Sequence, residues 1–344
     1  YLCKAGYKNF LRDRILDFPN EKEAIEKYVK LVKHVAKLKL FIISKMLPNK
    51  VLSYIIRTFF CREYYYYATK TAYEVISKLT TDKRLITVLC GQAGNYALSP
   101  YKVSFYIHAS MVNHYFEGGF YPINGCSEFA KGLISTINKS GGRVLVSKAV
   151  HKILVKNKRA IGIEMENGYK IYAKYVVSNC GIHKTQTLLN ESIKQNTGWT
   201  NIKIKHSTPY YTLFVALEGN KYSSKLPSAN IWYWKENMKR DPENYNISVD
   251  NLEDFLTPIF ISFPSTKDPT WNNKYPNKST ANVIVKMPYE FFTKWQNQKS
   301  GKRDIDYQDF TKKINTILIN KLLLFYPQLK DKINFVFSGS PLTN

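Results

Sequence analysis

The chain has 344 residues, and 44% of them are hydrophobic. This length predicts about two domains, and the apolar content excludes a disordered chain. No run of about 18 uncharged apolar residues occurs, which excludes a simple membrane-spanning helix. The net charge of +25 would suit an anionic partner, but the lysines are spread along the whole chain, as on a generally solvated surface. No nucleic acid partner is predicted, because no motif for reading DNA or RNA is present.

The cysteines and histidines give no sign of a metal site. The five cysteines are separated by long gaps without a Cys-x-x-Cys motif, and no two of the six histidines lie four residues apart. No metal is therefore predicted. In a chain of this size the cysteines are expected to be buried free thiols in a reducing compartment, without a disulfide framework.

Residues 1–110 are predicted to be mostly helical. Asn20 is expected to cap a helix whose apolar face runs from Ile25 to Ala36, and short helices are predicted over residues 71–79 and 85–92. The apolar stretch 38–60 is interrupted by charged residues and by Pro48. It suits either a buried helical hairpin turning at Pro48 or a segment lying in a membrane surface with its basic residues at the headgroups.

The middle of the chain combines a helix with short strands. A helix is predicted over residues 128–139, ending at Gly141-Gly142. Four β-type runs follow, at residues 143–146, 150–155, 160–166 and 169–172. Asn167-Gly168 predicts a hairpin between the last two. The apolar run 175–178 predicts a strand buried on both faces that ends at Asn179-Cys180-Gly181.

The last part of the chain is predicted to be of α+β type. Its predicted strands lie at residues 210–217, 230–234, 259–263 and 281–286, and its predicted helices at residues 288–298 and 307–325.

A glycine-rich loop joins two predicted helices at residues 114–128, where the sequence is HYFEGGFYPINGCSE. Glycines let a backbone approach a ligand closely, and a helix that begins near Ser127 offers free N–H groups. A plain connection between two helices would show the same pattern. The residues alone leave both interpretations open.

This loop resembles the G-G-x-Y-P-x-G-G-S segment of flavoproteins in the phytoene desaturase and carotenoid isomerase superfamily, and within it most closely the retinol saturases. Similar blocks occur in the same order along essentially the whole chain. They are FPNE at 18–21, VNHY at 112–115, FPSTKDPTW at 263–271, GKR at 301–303, YPQL at 326–329 and GSPLTN at 339–344.

The resemblance implies an amine-oxidase-like FAD flavoprotein with two domains of mixed α+β and α/β character. Residues 1–112 would be the helical part of a substrate domain and 113–182 the central part of the FAD domain. Residues 183–335 would complete the substrate domain, and 336–344 would return to the FAD domain. The family's N-terminal G-x-G-x-x-G unit and its C-terminal FAD-closing segment do not occur. An incomplete FAD domain, and cuts through a longer protein at both ends, are therefore expected.

The resemblance also implies which residues bind the cofactor. These are Gly125, Cys126, Ser127, Val150, Asn179 and Gly181. The family's paired glycines are Asn124-Gly125 here, and the serine after them is Cys126. Asn adopts left-handed backbone at modest cost, so the turn is expected to persist.

Glu128 is the favoured proton donor, since the resemblance places it at a helix start that lines the cavity facing the flavin. Apolar walls would raise the pKa of its carboxyl group. Glu128 is equally well explained as a residue that stabilises the first turn of its helix in the charged form. Tyr121, His114 and Glu117 are weaker candidates.

The implied activity is saturation of a C=C bond in a retinoid or related polyene, with hydride from reduced FAD and with NAD or NADP as a further reductant. An apolar substrate and the stretch 38–60 imply peripheral membrane association, with the endoplasmic reticulum as the expected compartment. The alternatives are a carotenoid-type isomerase or desaturase, a non-catalytic basic binding protein, and an inactive truncated fragment. Net consumption of a reductant separates a reductase from an isomerase.

Overall fold

The computed structural model describes residues 1–96, 98–197, 209–222, 224–234 and 252–343. The chain forms two compact units. The large unit contains residues 1–125 and 207–344, and the small unit contains residues 126–206.

The first part of the large unit is helical, which confirms the prediction. Its helices are α1 Tyr7–Asp17, α2 Lys22–Val35, α3 Leu40–Met46, α4 Lys50–Phe60, α5 Arg62–Thr69, α6 Ala72–Ile76, α7 Lys83–Leu89 and α8 Phe105–Tyr115, with 3₁₀ turns at Pro19–Glu21 and Gly91–Tyr96. Ile25, Tyr28 and Val32 of α2 are fully buried and form one hydrophobic core with α7 and α8. The predicted cap at Asn20 is wrong, because Asn20 lies in the first 3₁₀ turn and α2 begins without a side-chain cap.

The predicted hairpin over residues 38–60 is confirmed as α3 and α4, with Pro48 in the connection. Its predicted burial is wrong. Ser44 of α3 and Ser53 of α4 are buried, whereas most of the large apolar side chains of both helices are exposed. The inner positions of the hairpin hold small side chains, so the large ones point outward.

The small unit contains one three-stranded antiparallel sheet and three helices in its described part. In chain order these are α9 Ser127–Lys139, β1 Val150–Lys156, β2 Arg159–Met165, β3 Lys170–Tyr172, α10 Ile182–Thr187 and α11 Glu191–Thr197, with the strands in the order β1-β2-β3. The hairpin predicted at Asn167-Gly168 is confirmed. The β1–β2 turn, which was not predicted, uses Asn157 and Lys158, both with positive φ.

Two predicted strands of the small unit are absent. Residues 143–146 and 175–178 are irregular, and Val177 is 92% exposed. A strand buried on both faces needs a neighbouring strand for its backbone groups. The described residues of the small unit place no strand beside residues 175–178.

The second part of the large unit is a five-stranded antiparallel sheet in the order β5-β6-β7-β4-β8. The elements are β4 Tyr210–Glu218, β5 Ile231–Tyr233, α12 Leu252–Phe255, β6 Ile259–Ser262, α13 Trp271–Lys274, β7 Lys278–Lys286, α14 Ile305–Phe325 and β8 Ile333–Gly339. One face, including Leu213 and Val283, packs on Leu318 and other residues of α14 to form the second core. The fold is therefore of mixed α and β type, as predicted.

Two predictions in this part need correction. Residues 288–298 form a 3₁₀ helix, Tyr289–Trp295, instead of an α-helix. Strand β8, which pairs with β4 at the edge of the sheet, was not predicted.

The cysteines are free, as expected, but only Cys61 and Cys90 are buried. The predicted burial is wrong for Cys3, Cys126 and Cys180, which lie in segments at the surface of their units. Across the described ranges, no helix combines the length and apolar character needed to cross a bilayer.

Candidate functional site

The glycine-rich loop forms a turn with left-handed backbone at its end. Asn124 has φ 72° and Gly125 has φ 91°, so Asn124 adopts the conformation that was predicted for it. The Gly125 N–H donates to the Pro122 carbonyl at 3.0 Å, which closes the turn just before α9 begins. The loop is therefore more than an extended connection, since its last residues have a defined geometry.

Asp268 holds this turn from a distant part of the sequence. Its carboxylate oxygen Oδ1 accepts from the Asn124 backbone N–H at 3.1 Å and from the Thr270 N–H and hydroxyl at 2.9 and 2.8 Å. Lys274 Nζ donates to the Asn124 side-chain oxygen at 2.6 Å. Burial raises the pKa of Asp268, but these hydrogen bonds and the Lys274 charge outweigh it and lower the pKa below its usual value. A charged carboxylate thus fixes the turn to the segment that follows β6.

The predicted catalytic residues occupy exposed or half-exposed positions. His114 is exposed at the end of α8, Glu117 is exposed, and Tyr121 is half-buried. Glu128 lies in the first turn of α9 and forms an ion pair with Lys131 at 2.6 Å. This pair suits the first-turn explanation of Glu128. The assignment of a proton donor stays a prediction.

Most of the predicted cofactor-binding residues lie in the small unit. Cys126 and Ser127 begin α9, Val150 begins β1, and Asn179 and Gly181 precede α10. Gly125 is the last residue of the first segment of the large unit.

Cys180 lies between Asn179 and Gly181. Its Sγ is 3.2 Å from Ser178 Oγ and 3.4 Å from Thr185 Oγ1. Hydrogen bonds from these two hydroxyl groups lower the pKa of the thiol.

Two local features at these positions suit an FAD molecule. The start of α9 has no side-chain cap, so its first N–H groups suit an anion. A Cβ at Gly125 or at Gly181 would meet no atom within 4 Å, so each position leaves open space for a ligand. The glycine-rich unit that would hold the pyrophosphate is absent from the sequence. Each of these positions, taken within its own unit, therefore suits a bound dinucleotide.

The face of the large sheet that points away from α14 is aromatic and partly open. The strand register places Trp232, Phe260, Ile284 and Thr212 in one row across the sheet. Phe214 and Phe337 face each other in the next row, with ring centroids 5.6 Å apart. Phe214 is 40% exposed and Phe337 is 60% exposed. Flat conjugated molecules stack well on such a surface.

Trp232 is fixed by the helical part of the same unit. A Cβ placed on Gly94 would lie 2.0 Å from the Trp232 ring, so only glycine permits this close approach. The Tyr210 hydroxyl donates to the Gly94 carbonyl at 3.1 Å, and Trp234 Nε1 donates to the Gly91 carbonyl at 3.2 Å. One end of the aromatic face therefore rests on the 3₁₀ turn Gly91–Tyr96.

Lys267 is a functional candidate that sequence reasoning missed. Its Nζ donates to Asn230 Oδ1 at 2.7 Å and to Ser262 Oγ. Ser262 pairs with Asn282, so it belongs to the aromatic face of the sheet. Burial lowers the pKa of the Lys267 ammonium group, which makes its proton easier to give up. The only sequence signal was the position of Lys267 within the FPSTKDPTW block.

The aromatic face follows from the alternating burial of the strand residues. Alternate residues of β4 and β7 are buried against the core, and the residues between them therefore lie together on the opposite face of the sheet.

Among the described residues, no cluster of His, Cys, Asp or Glu could hold a metal ion.

Known enzymes are similar to this chain in sequence. No family model matches the chain. All-trans-retinol 13,14-reductase of Rattus norvegicus is 32% identical over 99% of this chain and 58% of its own length. Prolycopene isomerase 1 of an Oncidium hybrid cultivar is 28% identical over 50% of this chain and 30% of its own length. The chain thus spans little more than half of the reductase that it matches.

A solved structure also shares the fold. An oxidoreductase from Methanosarcina mazei matches with a TM-score of 0.54 and 15% identity, over 87% of this chain and 63% of that protein. The resemblance predicted from the sequence blocks is confirmed: over nearly its whole length the chain is a relative of the all-trans-retinol 13,14-reductases, and it has lower identity to the prolycopene isomerases.

Proposed function

We propose that this chain carries the substrate-binding part, and the central part of the FAD-binding domain, of an oxidoreductase that saturates a C=C bond in a retinoid or related polyene. The observation that carries the proposal is the partly open aromatic face of the large sheet. The relatives named all-trans-retinol 13,14-reductase support the same reaction class. Further segments of an amine-oxidase-like FAD domain, including the pyrophosphate-binding unit, would complete the cofactor site.

Saturation of one double bond adds a hydride to one carbon and a proton to its neighbour. Bound FAD in its reduced form would supply the hydride, and NADH or NADPH would then reduce the oxidised FAD again. Gly125, Cys126 and Ser127 would contact the flavin side of the cofactor, and Val150, Asn179 and Gly181 its nucleotide side.

The protein's own residues would bind and orient the polyene. Trp232, Phe260, Phe214 and Phe337 offer a flat apolar surface along which a conjugated chain can lie in a fixed direction. Lys267 at this face and Glu128 at the start of α9 are the two proton donors to distinguish. Lys267 is favoured by its lowered pKa and by its contact with Ser262 on the same face.

The test measures polyene binding and product formation separately. Binding of all-trans-retinol to the chain is followed by its fluorescence, for the wild type and for the double variant Phe214→Ser/Phe337→Ser. We expect the double variant to bind at least about tenfold more weakly, because two apolar contacts are lost. Tyr222→Ser, which removes an aromatic ring that is 79% exposed outside the sheet face, is the control. If the double variant binds retinol as tightly as the wild type does, the aromatic face of the sheet is not the polyene-binding surface.

Product formation is tested in a protein that joins this chain to the further segments of the FAD domain, with FAD and NADPH or NADH added, under anaerobic conditions. A product that gains two hydrogen atoms by mass spectrometry is expected. An isomer of unchanged mass, formed without consumption of the reductant, would favour the isomerase alternative. A Lys267→Met variant that binds the polyene normally but forms no product would support Lys267, and Glu128→Gln tests Glu128 in the same way.

Membrane association belongs to the same proposal, because an apolar polyene is stored in lipid. The endoplasmic reticulum stays a prediction that rests on the resemblance.

A further inference from the structure

The hairpin of α3 and α4 buries two serines and exposes most of its large apolar side chains. Ser44 is fully buried and Ser53 is 6% exposed. In contrast, Met46 is 79% exposed and Val51 is 68% exposed. A helix in water normally hides its apolar side chains and exposes its small polar ones. The arrangement in this hairpin is the one expected of helices that face an apolar medium and pack on each other through small residues.

The exposed large apolar residues of the hairpin are numerous. They are Leu40, Ile42, Ile43 and Met46 on α3, and Val51, Leu52, Tyr54, Ile55, Phe59 and Phe60 on α4. We call these residues the hairpin surface. Monomeric proteins rarely expose so many large apolar side chains together without a partner.

The charges around the hairpin surface are of one sign. Between Glu26 and Glu63 the sequence contains no acidic residue. Lys39 precedes α3, Lys45 lies within α3 and Lys50 begins α4, and all three are exposed. Apolar side chains bordered by basic ones fit an anionic lipid surface, in which the apolar groups enter the acyl region and the lysines meet the headgroups. A second copy of this chain fits poorly, because it would bring like charges together.

The hairpin is also attached firmly to the large unit. The Phe41 ring stacks on Tyr64 of α5 with centroids 4.3 Å apart, and Tyr64 contacts Tyr106 of α8 at 4.8 Å. Contact of the hairpin with lipid would therefore hold the whole large unit at the membrane.

We propose that the hairpin surface of α3 and α4 docks the protein on the surface of an anionic membrane without crossing it. This inference assigns the membrane association proposed above to particular residues. It does not depend on the redox reaction, because docking requires neither the flavin nor the polyene.

The test is flotation of the 344-residue chain with lipid vesicles. One set of vesicles contains phosphatidylcholine alone, and the other contains phosphatidylcholine with phosphatidylserine. The apolar variant is Ile43→Ser/Val51→Ser/Phe59→Ser, and the control is Leu16→Ser/Ile305→Ser/Leu324→Ser, which removes equally exposed apolar residues elsewhere in the large unit. We expect the apolar variant to lose at least about tenfold in vesicle partitioning and the control to bind as the wild type does.

A second variant tests the charges without altering the apolar residues. Lys39→Gln/Lys45→Gln/Lys50→Gln should reduce binding to phosphatidylserine vesicles by about fivefold for each lysine that lies near the lipid. Its binding to phosphatidylcholine alone should change little.

The proposal is overturned if the wild type does not float, or if the apolar variant floats as well as the wild type. It is also overturned if the apolar variant changes only the self-association of the chain in sedimentation velocity, since a second copy would then be the occupant. Flotation that succeeds while retinol is not reduced would leave docking in place and reject only the proposed reaction.

Discussion

The large and small units differ in how they treat their apolar residues. Apart from the exposed hairpin surface, the large unit packs its apolar residues in two cores, one between α2, α7 and α8 and one between the sheet and α14. In the described part of the small unit, the buried hydrophobic residues are Ile153, Met165 and Leu188, and no residue of α9 is buried. The large unit therefore supplies its own stability. The small unit exposes the apolar face of α9, including Phe129 and Leu133.

Replacing a core leucine in each unit gives the largest expected contrast. Leu318→Ala should lower the free energy of unfolding by about 2–5 kcal/mol, because Leu318 of α14 is fully buried. Leu133→Ala on α9 should change it by less than about 0.5 kcal/mol, because Leu133 is 66% exposed. Urea unfolding measures both. If Leu133→Ala lowers the free energy of unfolding as much as Leu318→Ala does, α9 is packed against other residues and the contrast between the two units is wrong.

The large unit should also respond to acid through one buried histidine. The Tyr28 hydroxyl is 2.8 Å from His108 Nε2 and donates to the Leu89 carbonyl, so Nε2 is the ring nitrogen that carries the proton. Tyr96 donates its hydroxyl proton to Nδ1 at 3.0 Å. The neutral ring is thus fully hydrogen-bonded, and burial lowers the pKa of His108 to about 4.

Because the pKa of His108 is lower in the folded chain, acid should destabilise the folded state. As the pH falls, the unfolded chain takes up a proton at His108 near pH 6.5, whereas the folded chain does so only near pH 4. The contribution of this histidine to the free energy of unfolding is therefore fully present above pH 6.5 and decreases between these two values. The loss should reach about 3 kcal/mol at the lower value. Urea unfolding as a function of pH measures it, and His108→Gln should flatten this part of the profile. The exposed His114→Gln is the control, and an unchanged profile in His108→Gln would contradict the assignment.

A single methyl group should test how tightly the aromatic face is held. Gly94→Ala places a Cβ against the Trp232 ring and should cost about 1–3 kcal/mol while changing the near-ultraviolet circular dichroism of the tryptophans. Gly91→Ala lies in the same 3₁₀ turn with no atom within 4 Å of the new Cβ and should leave that signal unchanged. Equal spectra for the two variants would mean that Trp232 does not rest on Gly94.

The smallest expected effect concerns the turn at the end of the first segment of the large unit. Asp268→Asn removes the charge that holds Asn124 and should cost about 1 kcal/mol. Hydrogen exchange at the Asn124 and Gly125 amides should become faster. Asp306→Asn changes an exposed carboxylate and is the control. Unchanged exchange in Asp268→Asn would show that the loop keeps its shape without this contact.

The sequence predicted those parts of the fold that local patterns determine. The apolar spacing of α2 and the strand-like composition of β4 and β7 were sufficient to predict these elements, and Asn167-Gly168 was sufficient for its hairpin. Strand β8 was missed because its exposed residues do not alternate between polar and apolar. The run 175–178 was misjudged, because a buried strand depends on neighbours that a local pattern does not reveal.

The candidate site was predicted less completely for the same reason. The left-handed conformation of Asn124 follows from the residue type and its glycine neighbour. The contact between Asp268 and Asn124 joins residues 144 positions apart, and the lowered pKa of Lys267 depends on burial. Neither property is encoded in a short segment, so both required the structure.

The outward-facing leucines, isoleucines and phenylalanines of α3 and α4 also have a practical consequence for handling the protein. In dilute buffer the charge of +25 keeps molecules apart by electrostatic repulsion. Added salt shortens the range of that repulsion, from about 8 Å at 0.15 M to about 3 Å at 1 M, and molecules can then stick through these side chains. The purified chain should therefore precipitate early in ammonium sulfate, and a mild detergent should keep it dispersed.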